Sequence, residues 1–345
     1  MSNDSKNFLN PNYRRKKYAA VPDVSKLFEG IRKGDRTSLG QGITLVESEK
    51  SEHRIPAAEL LALCLPVSGK SRRIGITGVP GAGKSTFINA FGTYLTSLGH
   101  KVAVLAIDPS SGRNKGSILG DKTRMDQLSV DPNAFIRPSP SGGSLGGVAA
   151  KTRESVLLCE AAGYDIILIE TVGVGQSETE VHSMVDMFLL LLIAGGGDEL
   201  QGIKRGIMEM TDLLIITKDD GSNQLATKKS KTEYASALHL FPASPSKWTP
   251  LVETVSSLEN KGLDKVNAHI DAYFNLTIQN GYFQHNRAEQ SVFWMHRNIT
   301  LGLLRELHEH PACKLLLSDL EEKVRSGTLS PFEASRLLLE TFKKN

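Results

Sequence analysis

Nine consecutive residues carry the most specific chemistry in the chain: Gly78, Val79, Pro80, Gly81, Ala82, Gly83, Lys84, Ser85 and Thr86. They fit G-x-x-x-x-G-K-[ST], following the short apolar run Ile74-Gly-Ile-Thr77 and preceding the helix-like Phe87-Ile-Asn-Ala-Phe91, which is the strand–loop–helix context that pattern requires. Glycines let the backbone curl so that successive N–H groups converge on phosphate oxygens. The helix that follows adds its positive N-terminal end. Lys84 is placed to reach the β- and γ-phosphates and Ser85 to ligate Mg²⁺. The spacing predicts a nucleoside triphosphate site rather than a plain glycine-rich turn.

Such a site needs acidic groups on the metal side, and two strand ends offer them. Lys101-Val-Ala-Val-Leu-Ala-Ile107 reads as a strand ending at Asp108-Pro109. Ligands of open α/β sheets bind at the carboxyl ends of strands, so Asp108 either faces Mg²⁺ and phosphate or merely starts the turn before Pro109. Tyr164-Asp-Ile-Ile-Leu-Ile169 is a second buried strand and runs into Glu170-Thr-Val-Gly173. There the Glu170 carboxylate is placed to hold Mg²⁺ through water and the Gly173 N–H to touch the γ-phosphate. Two glycine-containing loops, 110–125 and 139–147, are candidates for segments ordered by the γ-phosphate, with ordinary surface loops as the alternative.

Base recognition points to a third strand end. Asp212-Leu-Leu-Ile-Ile216 leads into Thr217-Lys218-Asp219-Asp220, where guanine-specific enzymes carry N-K-x-D. A carboxylate at Asp220 accepts from guanine N1–H and the 2-amino group, whereas adenine has neither donor and leaves it unpaired. Thr217 in place of Asn weakens the match, so GTP is favoured with ATP as the alternative. After the strand-like Leu251-Val-Glu-Thr-Val255, Ser256-Ser257-Leu258 occupies the place of a loop whose backbone supports guanine O6.

The elements that position these groups follow from the pattern along the chain. Residues 1–20, with the basic cluster Arg14-Arg15-Lys16-Lys17, read as a disordered tail. Residues 21–71 read as a helical N-terminal extension in which Gly40 and Gly42 are expected to separate or loosen the helices. Residues 72–264 alternate strands and helices, which predicts an α/β fold with a mostly parallel sheet flanked by helices. The run Met187-Phe-Leu-Leu-Leu-Leu-Ile-Ala194 is expected to be a strand buried on both faces. Residues 265–345 read as long amphipathic helices, around Ile270 to Leu276, Val292 to Leu307, Leu315 to Val324 and Pro331 to Phe342. Such a terminal set packs either within the monomer or against a second copy.

Composition excludes several classes. Hydrophobic residues at 40% and charged residues at 23% describe an ordinary globular chain, and a net charge of +3 is too small to point to nucleic acid. Three separated cysteines, Cys64, Cys159 and Cys313, argue for a reducing compartment. No early apolar segment or arginine-rich leader is present and no apolar run is long enough for a bilayer, so a cytoplasmic protein off the membrane is expected. His308-Glu-His310-Pro-Ala-Cys313 holds three metal-ligand types, but Pro311 breaks the helix between them and no second His/Cys group accompanies it. Cys159 is expected to be a packed thiol rather than a nucleophile.

Taken together, these residues resemble the ArgK/MeaB/MMAA GTPases. The resemblance is carried by residues 75–87 around the phosphate loop, Asp108-Pro-Ser-Ser111, Gly116-Ser-Ile-Leu-Gly-Asp-Lys-Thr-Arg-Met125, residues 142–154, Glu170-Thr-Val-Gly-Val-Gly-Gln-Ser-Glu178 and Gly197-Asp-Glu-Leu-Gln-Gly-Ile-Lys204. It is dense from about residue 38 to residue 265 and includes Ile43-Thr-Leu-Val-Glu47. It implies a P-loop GTPase that acts as a chaperone of a coenzyme B12-dependent acyl-CoA mutase, usually methylmalonyl-CoA mutase, and gates cofactor loading. It implies that Lys84 and Ser85 serve phosphate and Mg²⁺, and that Asp108, Asp121 and Glu170 lie near the metal and the hydrolytic water. Lys218, Asp220 and Ser256 to Leu258 would hold guanine. Residues 198–204, ending in the catalytic candidate Lys204, correspond to an extra switch loop, and the C-terminal helices to a homodimerisation arm.

This chain departs from the family at Thr217-Lys-Asp-Asp220, where N-K-A-D is usual, at Ser256-Ser-Leu258, where S-A-L is usual, and at Asn114-Lys115 in place of Thr-Gly. No glutamine directly follows Gly173, since Gln176 is three residues on, so slow intrinsic hydrolysis is expected. The alternative reading is a transport-associated, kinase-like ATPase; a metal-insertion chaperone is disfavoured by the lack of a Cys/His cluster.

Overall fold

A computed structural model describes residues 22–107, 125–138, 145–171, 177–195 and 205–344. Seven strands form one sheet in the order β3-β2-β4-β1-β5-β6-β7, every neighbouring pair parallel. The strands are β1 (Arg72–Gly78), β2 (Val102–Ile107), β3 (Ala134–Arg137), β4 (Ile166–Thr171), β5 (Met187–Ile193), β6 (Leu213–Thr217) and β7 (Leu251–Thr254). β1 pairs with both β4 and β5, so the phosphate-loop strand is central and buried on both faces. The apolar runs of β1, β4 and β5 have the composition such a position demands. Four-residue β3 has no counterpart in the sequence reading, because its two buried residues are too few to make a period.

Helices cover both faces. On one, α1 (Val24–Arg32), α2 (Arg36–Glu47) and α3 (Ser51–Cys64) pack with α6 (Leu145–Ala161) in a core containing Ile31, Ile43, Leu60, Leu158, Ile167 and Phe188. Asp23 and Asp35 cap α1 and α2 by accepting backbone N–H bonds in their first turns. The glycines expected to interrupt this region do not: α2 runs straight through Gly40 and Gly42. A Cβ on Gly42 would lie 2.9 Å from Ile31 Cδ1 and 3.0 Å from Leu158 Cδ2. The residue is there for close packing of α2 on its neighbours, and tertiary contact overrides its low helix propensity.

On the other face α4 (Lys84–Ser97) and α10 (Leu263–Gln279) meet the sheet, with Phe87, Ile88, Phe91, Val266, Ile270 and Phe274 in one core. The anticipated break between residues 264 and 265 falls in the first turn of α10, which packs as part of the sheet's own cover. The remaining elements are α5 (Asp126–Val130), α7 (Ser177–His182), α8 (Arg205–Glu209), α9 (Gln224–Leu238), α11 (Tyr282–Glu309), α12 (Pro311–Arg325) and α13 (Pro331–Lys343). The second glycine loop is shorter than the sequence suggests, since Leu145 to Gly147 already belong to α6. Pro311 opens α12, as its fixed φ and missing N–H favour.

A buried ionic network fixes α11 to the sheet. Arg287 pairs with both carboxylate oxygens of Asp186 at 2.7 Å and donates to the carbonyls of Gly69 and Ser71 at 2.6 Å. Beside it, Glu160 pairs with Arg73 at 2.9 Å and accepts from Ser71 Oγ. Burial opposes ionisation of Glu160, but the Arg73 guanidinium, the Ser71 hydroxyl and the Gly69 amide outweigh it and hold the carboxyl below its usual range. Cys64, Cys159 and Cys313 are all buried free thiols, and burial raises the Cys159 pKa far out of the reactive range. Among the described residues no helix is long and apolar enough to cross a membrane.

Candidate nucleotide site

The carboxyl ends of β1, β4, β6 and β7 bring four of the predicted segments to one edge. After β1, Gly81 and Gly83 both have φ of 79°, the left-handed region that glycine enters without a Cβ penalty. Gly83 then stands as N-cap of α4 without a side-chain cap. Among the described residues nothing accepts from the backbone N–H groups of Gly81, Gly83, Lys84, Ser85 or Thr86. A partly exposed cluster of unpaired amides at a helix N-terminus is an anion cradle.

Lys84 is half-buried above this cradle. Its Nζ donates to Gly78 O at 2.8 Å and lies 3.4 Å from Val79 O. Burial lowers its pKa, an effect opposed by the negative charges of Glu170 and Glu178. On the neighbouring strand Glu170 turns its carboxylate to the same place: Ser85 Oγ donates to Glu170 Oε1 at 3.2 Å. A serine hydroxyl and a carboxylate in contact, both hard oxygen donors, fit a Mg²⁺ site. Beneath them Thr171 Oγ1 donates to Thr77 Oγ1 at 2.8 Å between buried side chains, locking β4 to β1 under the loop. Glu178, missed by the sequence reading, is 1% exposed, and its Oε2 has no hydrogen-bond partner among the described residues.

The β6 and β7 ends form the other half. Lys218 has φ of 60°, an uncommon conformation for a residue with a Cβ, and this turns the chain after the strand. Its side chain is exposed. Asp219 points inward: its Oδ2 accepts from Lys261 Nζ and Thr254 Oγ1, each at 3.1 Å, and its Oδ1 from Thr227. Burial opposes its ionisation, but those hydrogen bonds outweigh it and keep the carboxyl below its usual range. With Asp219 pinned, the next residue faces the other way. Asp220 is half-buried and its Oδ2 accepts from the fully buried Ser256 Oγ at 2.8 Å. Ser256 and Lys261 exchange backbone hydrogen bonds, closing the turn that contains Ser257 and Leu258. The Leu258 side chain is 78% exposed, so only its backbone belongs to the turn's inner face.

Thr217 joins the two halves. Its Oγ1 lies 2.7 Å from Ala82 O in the phosphate loop and 3.0 Å from Leu192 O on β5, and the residue is buried. The position is therefore a strut between the loop that follows β6 and the phosphate loop, which its hydroxyl satisfies without an amide. Neither Thr217 nor Asp219 advertises these contacts locally, since the partners lie far away in sequence. Thr217→Val keeps the shape and leaves buried carbonyls short of a donor. It is expected to lower unfolding free energy by about 1–3 kcal/mol, read from urea melts of the nucleotide-free protein. An unchanged midpoint would remove the strut.

Of the remaining sequence-predicted site residues, Asp108, Asp121, Gly173 and Lys204 lie outside the described residues. Val79, Pro80 and Ala82 form the loop between β1 and α4, and Thr86 is exposed in the first turn of α4.

Comparison with known proteins gives the family. The sequence model of the family described as "Methylmalonyl Co-A mutase-associated GTPase MeaB" matches residues 39–312. A putative GTPase of Caulobacter vibrioides is 52% identical over 320 residues, covering 93% of this chain and 98% of its own. GTPase ArgK of Escherichia coli is 48% identical over 311 residues, 90% of this chain and 94% of the relative. The mouse protein named "Methylmalonic aciduria type A homolog, mitochondrial" is 46% identical over 330 residues, 93% and 80% of the two chains. Among solved structures, one described as an LAO/AO transport system kinase superposes with a TM-score of 0.72 at 38% identity, covering 94% of this chain and all of that one. On these matches the chain belongs to the methylmalonyl-CoA mutase-associated GTPase family and is a guanine-nucleotide-binding hydrolase acting on GTP.

Proposed function

We propose that this GTPase is a chaperone of a coenzyme B12-dependent acyl-CoA mutase of the methylmalonyl-CoA mutase type, assisting cofactor loading and protecting the loaded enzyme. The observation that carries the reading is the Thr217 strut, which couples the phosphate loop to the loop bearing Asp220. A site whose two ends are tied is suited to report the nucleotide state to a partner. The family's own description supplies the class of partner.

In this reading the loop from Gly78 to Thr86 holds the phosphates through the unpaired amides of Gly81, Gly83, Lys84, Ser85 and Thr86 and the Lys84 ammonium, while Lys218, Asp220 and the Ser256 to Leu258 turn hold guanine. Ser85 and Glu170, with Asp108 and Asp121, would hold Mg²⁺, which neutralises charge building on the phosphate oxygens. Water attacks the γ-phosphorus in line, the bond to the β–γ bridging oxygen breaks, and Lys84 stabilises the charge that leaves with GDP. Gly173 and Lys204 are assigned to the γ-phosphate side and to the switch that meets the mutase.

The arm formed by α11 to α13 is proposed to pair with a second copy. Val292, Met295, Ile299 and Leu303 recur at helical spacing on α11 and are each 50–54% exposed. An apolar stripe of that kind seeks a cover.

The test is GTP and ATP turnover with and without a purified B12-dependent acyl-CoA mutase. GTP is expected to be preferred, and the mutase to raise its turnover at least about tenfold, modest beside the ~10³–10⁵ that dedicated activators supply. Turnover indifferent to the mutase would overturn the chaperone role.

A further inference from the structure

The nucleotide site occupies the carboxyl edge of the sheet, yet a second concavity opens at the opposite edge, where β5 and β6 begin. It encloses about 480 Å³, within the size range of small-molecule sites. At its base is Asp212, the residue before β6. Its Oδ2 accepts the Phe188 backbone N–H at 2.8 Å, and no described residue bonds its Oδ1.

The walls are aromatic and already fixed. Phe188, Phe241, Trp248, Tyr273 and Tyr282 line the space. The Trp248 indole N–H donates to Asp212 O at 2.9 Å, and its ring meets Tyr273 edge-on with centroids 5.5 Å apart. Tyr273 in turn donates its hydroxyl to Asp186 O at 2.6 Å. The loop between α9 and β7 closes one side, with Pro242, Pro245 and Pro250 along it. It is held internally by the buried Ser246, whose carbonyl accepts from Asn280 Nδ2 at 2.9 Å and whose hydroxyl accepts from the Trp248 backbone N–H at 3.2 Å.

The charges around this space leave a negative centre. Asp186 is matched by the bidentate Arg287. Lys247 and His239 are exposed at the rim and Glu209 lies on the side formed by α8. Burial lowers the His182 pKa and raises those of Tyr273 and Tyr282, so none of these three is charged near neutrality. Burial also pushes the Asp212 carboxyl up to about 7, against the opposing Phe188 hydrogen bond. A wholly apolar occupant would leave Oδ1 without a partner, and an anion would meet like charge.

We propose that this cavity binds a small organic cation, an ammonium or guanidinium on an apolar body, with Asp212 as counter-ion and the partly exposed rings of Phe241, Trp248 and Tyr282 as its cation–π and apolar wall. The site is separate from the GTP site and does not depend on the identity of any protein partner.

The probe is 2-phenylethylammonium, titrated calorimetrically into the full chain beside neutral 2-phenylethanol and anionic phenylacetate. An ammonium with a pKa of about 10 stays charged throughout the range used, so any pH dependence reports the protein. The cation is expected to bind at about pH 8 at least ten times more tightly than either comparator. Because it needs Asp212 ionised, its affinity should fall about tenfold per pH unit below about 7. Asp212→Asn keeps an acceptor for the Phe188 N–H and should lose both the preference and the pH dependence. Equal binding of alcohol or phenylacetate, undiminished binding by Asp212→Asn, or no binding of the cation at millimolar concentration would each overturn the site. Should the variant fail to fold in a thermal melt, the pH series on the unaltered protein decides alone.

Discussion

Asp220→Ala is expected to cut the preference for GTP over ATP by about 10²–10⁴-fold. The reason is the pair of donors that guanine presents, N1–H and the 2-amino group, against a single carboxylate. Hydrogen bonds to a charged group contribute about 1.5–3 kcal/mol each, so two of them account for ~3–6 kcal/mol, or two to four decades. The structure keeps the Asp220 side chain ready for this task. Ser256 holds one oxygen at 2.8 Å, and Asp219 beside it absorbs Thr227, Thr254 and Lys261. Without the carboxylate neither base leaves a buried charge unpaired, so ATP should gain relative to GTP. The measurement is the ratio of kcat/KM for the two nucleotides. A ratio that stays within threefold of the unaltered protein would place base recognition elsewhere. Asp219→Ala should act differently, weakening both nucleotides together, because its carboxylate holds the loop.

How much of this was readable beforehand depends on the distance over which each contact acts. The phosphate loop was legible because its chemistry is local: unpaired amides, a lysine and a hydroxyl must follow one another at set spacing, and Gly78 to Ser85 do. Buried parallel strands were legible for the same reason, since β4 and β5 are continuous apolar runs. The four C-terminal helices announce themselves through their period and through Pro311 and Pro331. What stayed hidden was assembled across the fold. Thr217 looked like a defect in a base-reading motif, and only the approach of Ala82 from the phosphate loop shows the hydroxyl as a strut. Gly42 looked like a helix breaker until Ile31 and Leu158 came within contact of it. The cavity over Asp212 draws on segments from His182 to Asn286, and no local pattern says that they meet.

Lys84→Ala is expected to lower GTP turnover at saturating nucleotide by about 10²–10³-fold, equivalent to ~2.7–4 kcal/mol of transition-state stabilisation, the scale found for loss of one preorganised charge-stabilising donor. Lys84 is preorganised in a direct sense. Its Nζ rests on Gly78 O and Val79 O at the mouth of the amide cradle, so a phosphate oxygen can take over as acceptor without moving the side chain far. Its burial disfavours the charged form, and Glu170 and Glu178 act to keep it protonated. Rate and affinity separate two roles. Losing a lysine that acts on charge appearing during bond cleavage lowers kcat, whereas losing one that only grips ground-state phosphates raises KM and leaves kcat alone. Arginine should not restore the rate, because its planar fork is longer and cannot reproduce a compact ammonium seated on two loop carbonyls. Single-turnover hydrolysis beside nucleotide binding makes the distinction. A kcat for Lys84→Ala within tenfold of the unaltered protein would remove Lys84 from the chemical step and leave the amides and the Mg²⁺ proposed at Ser85 and Glu170 to supply the stabilisation.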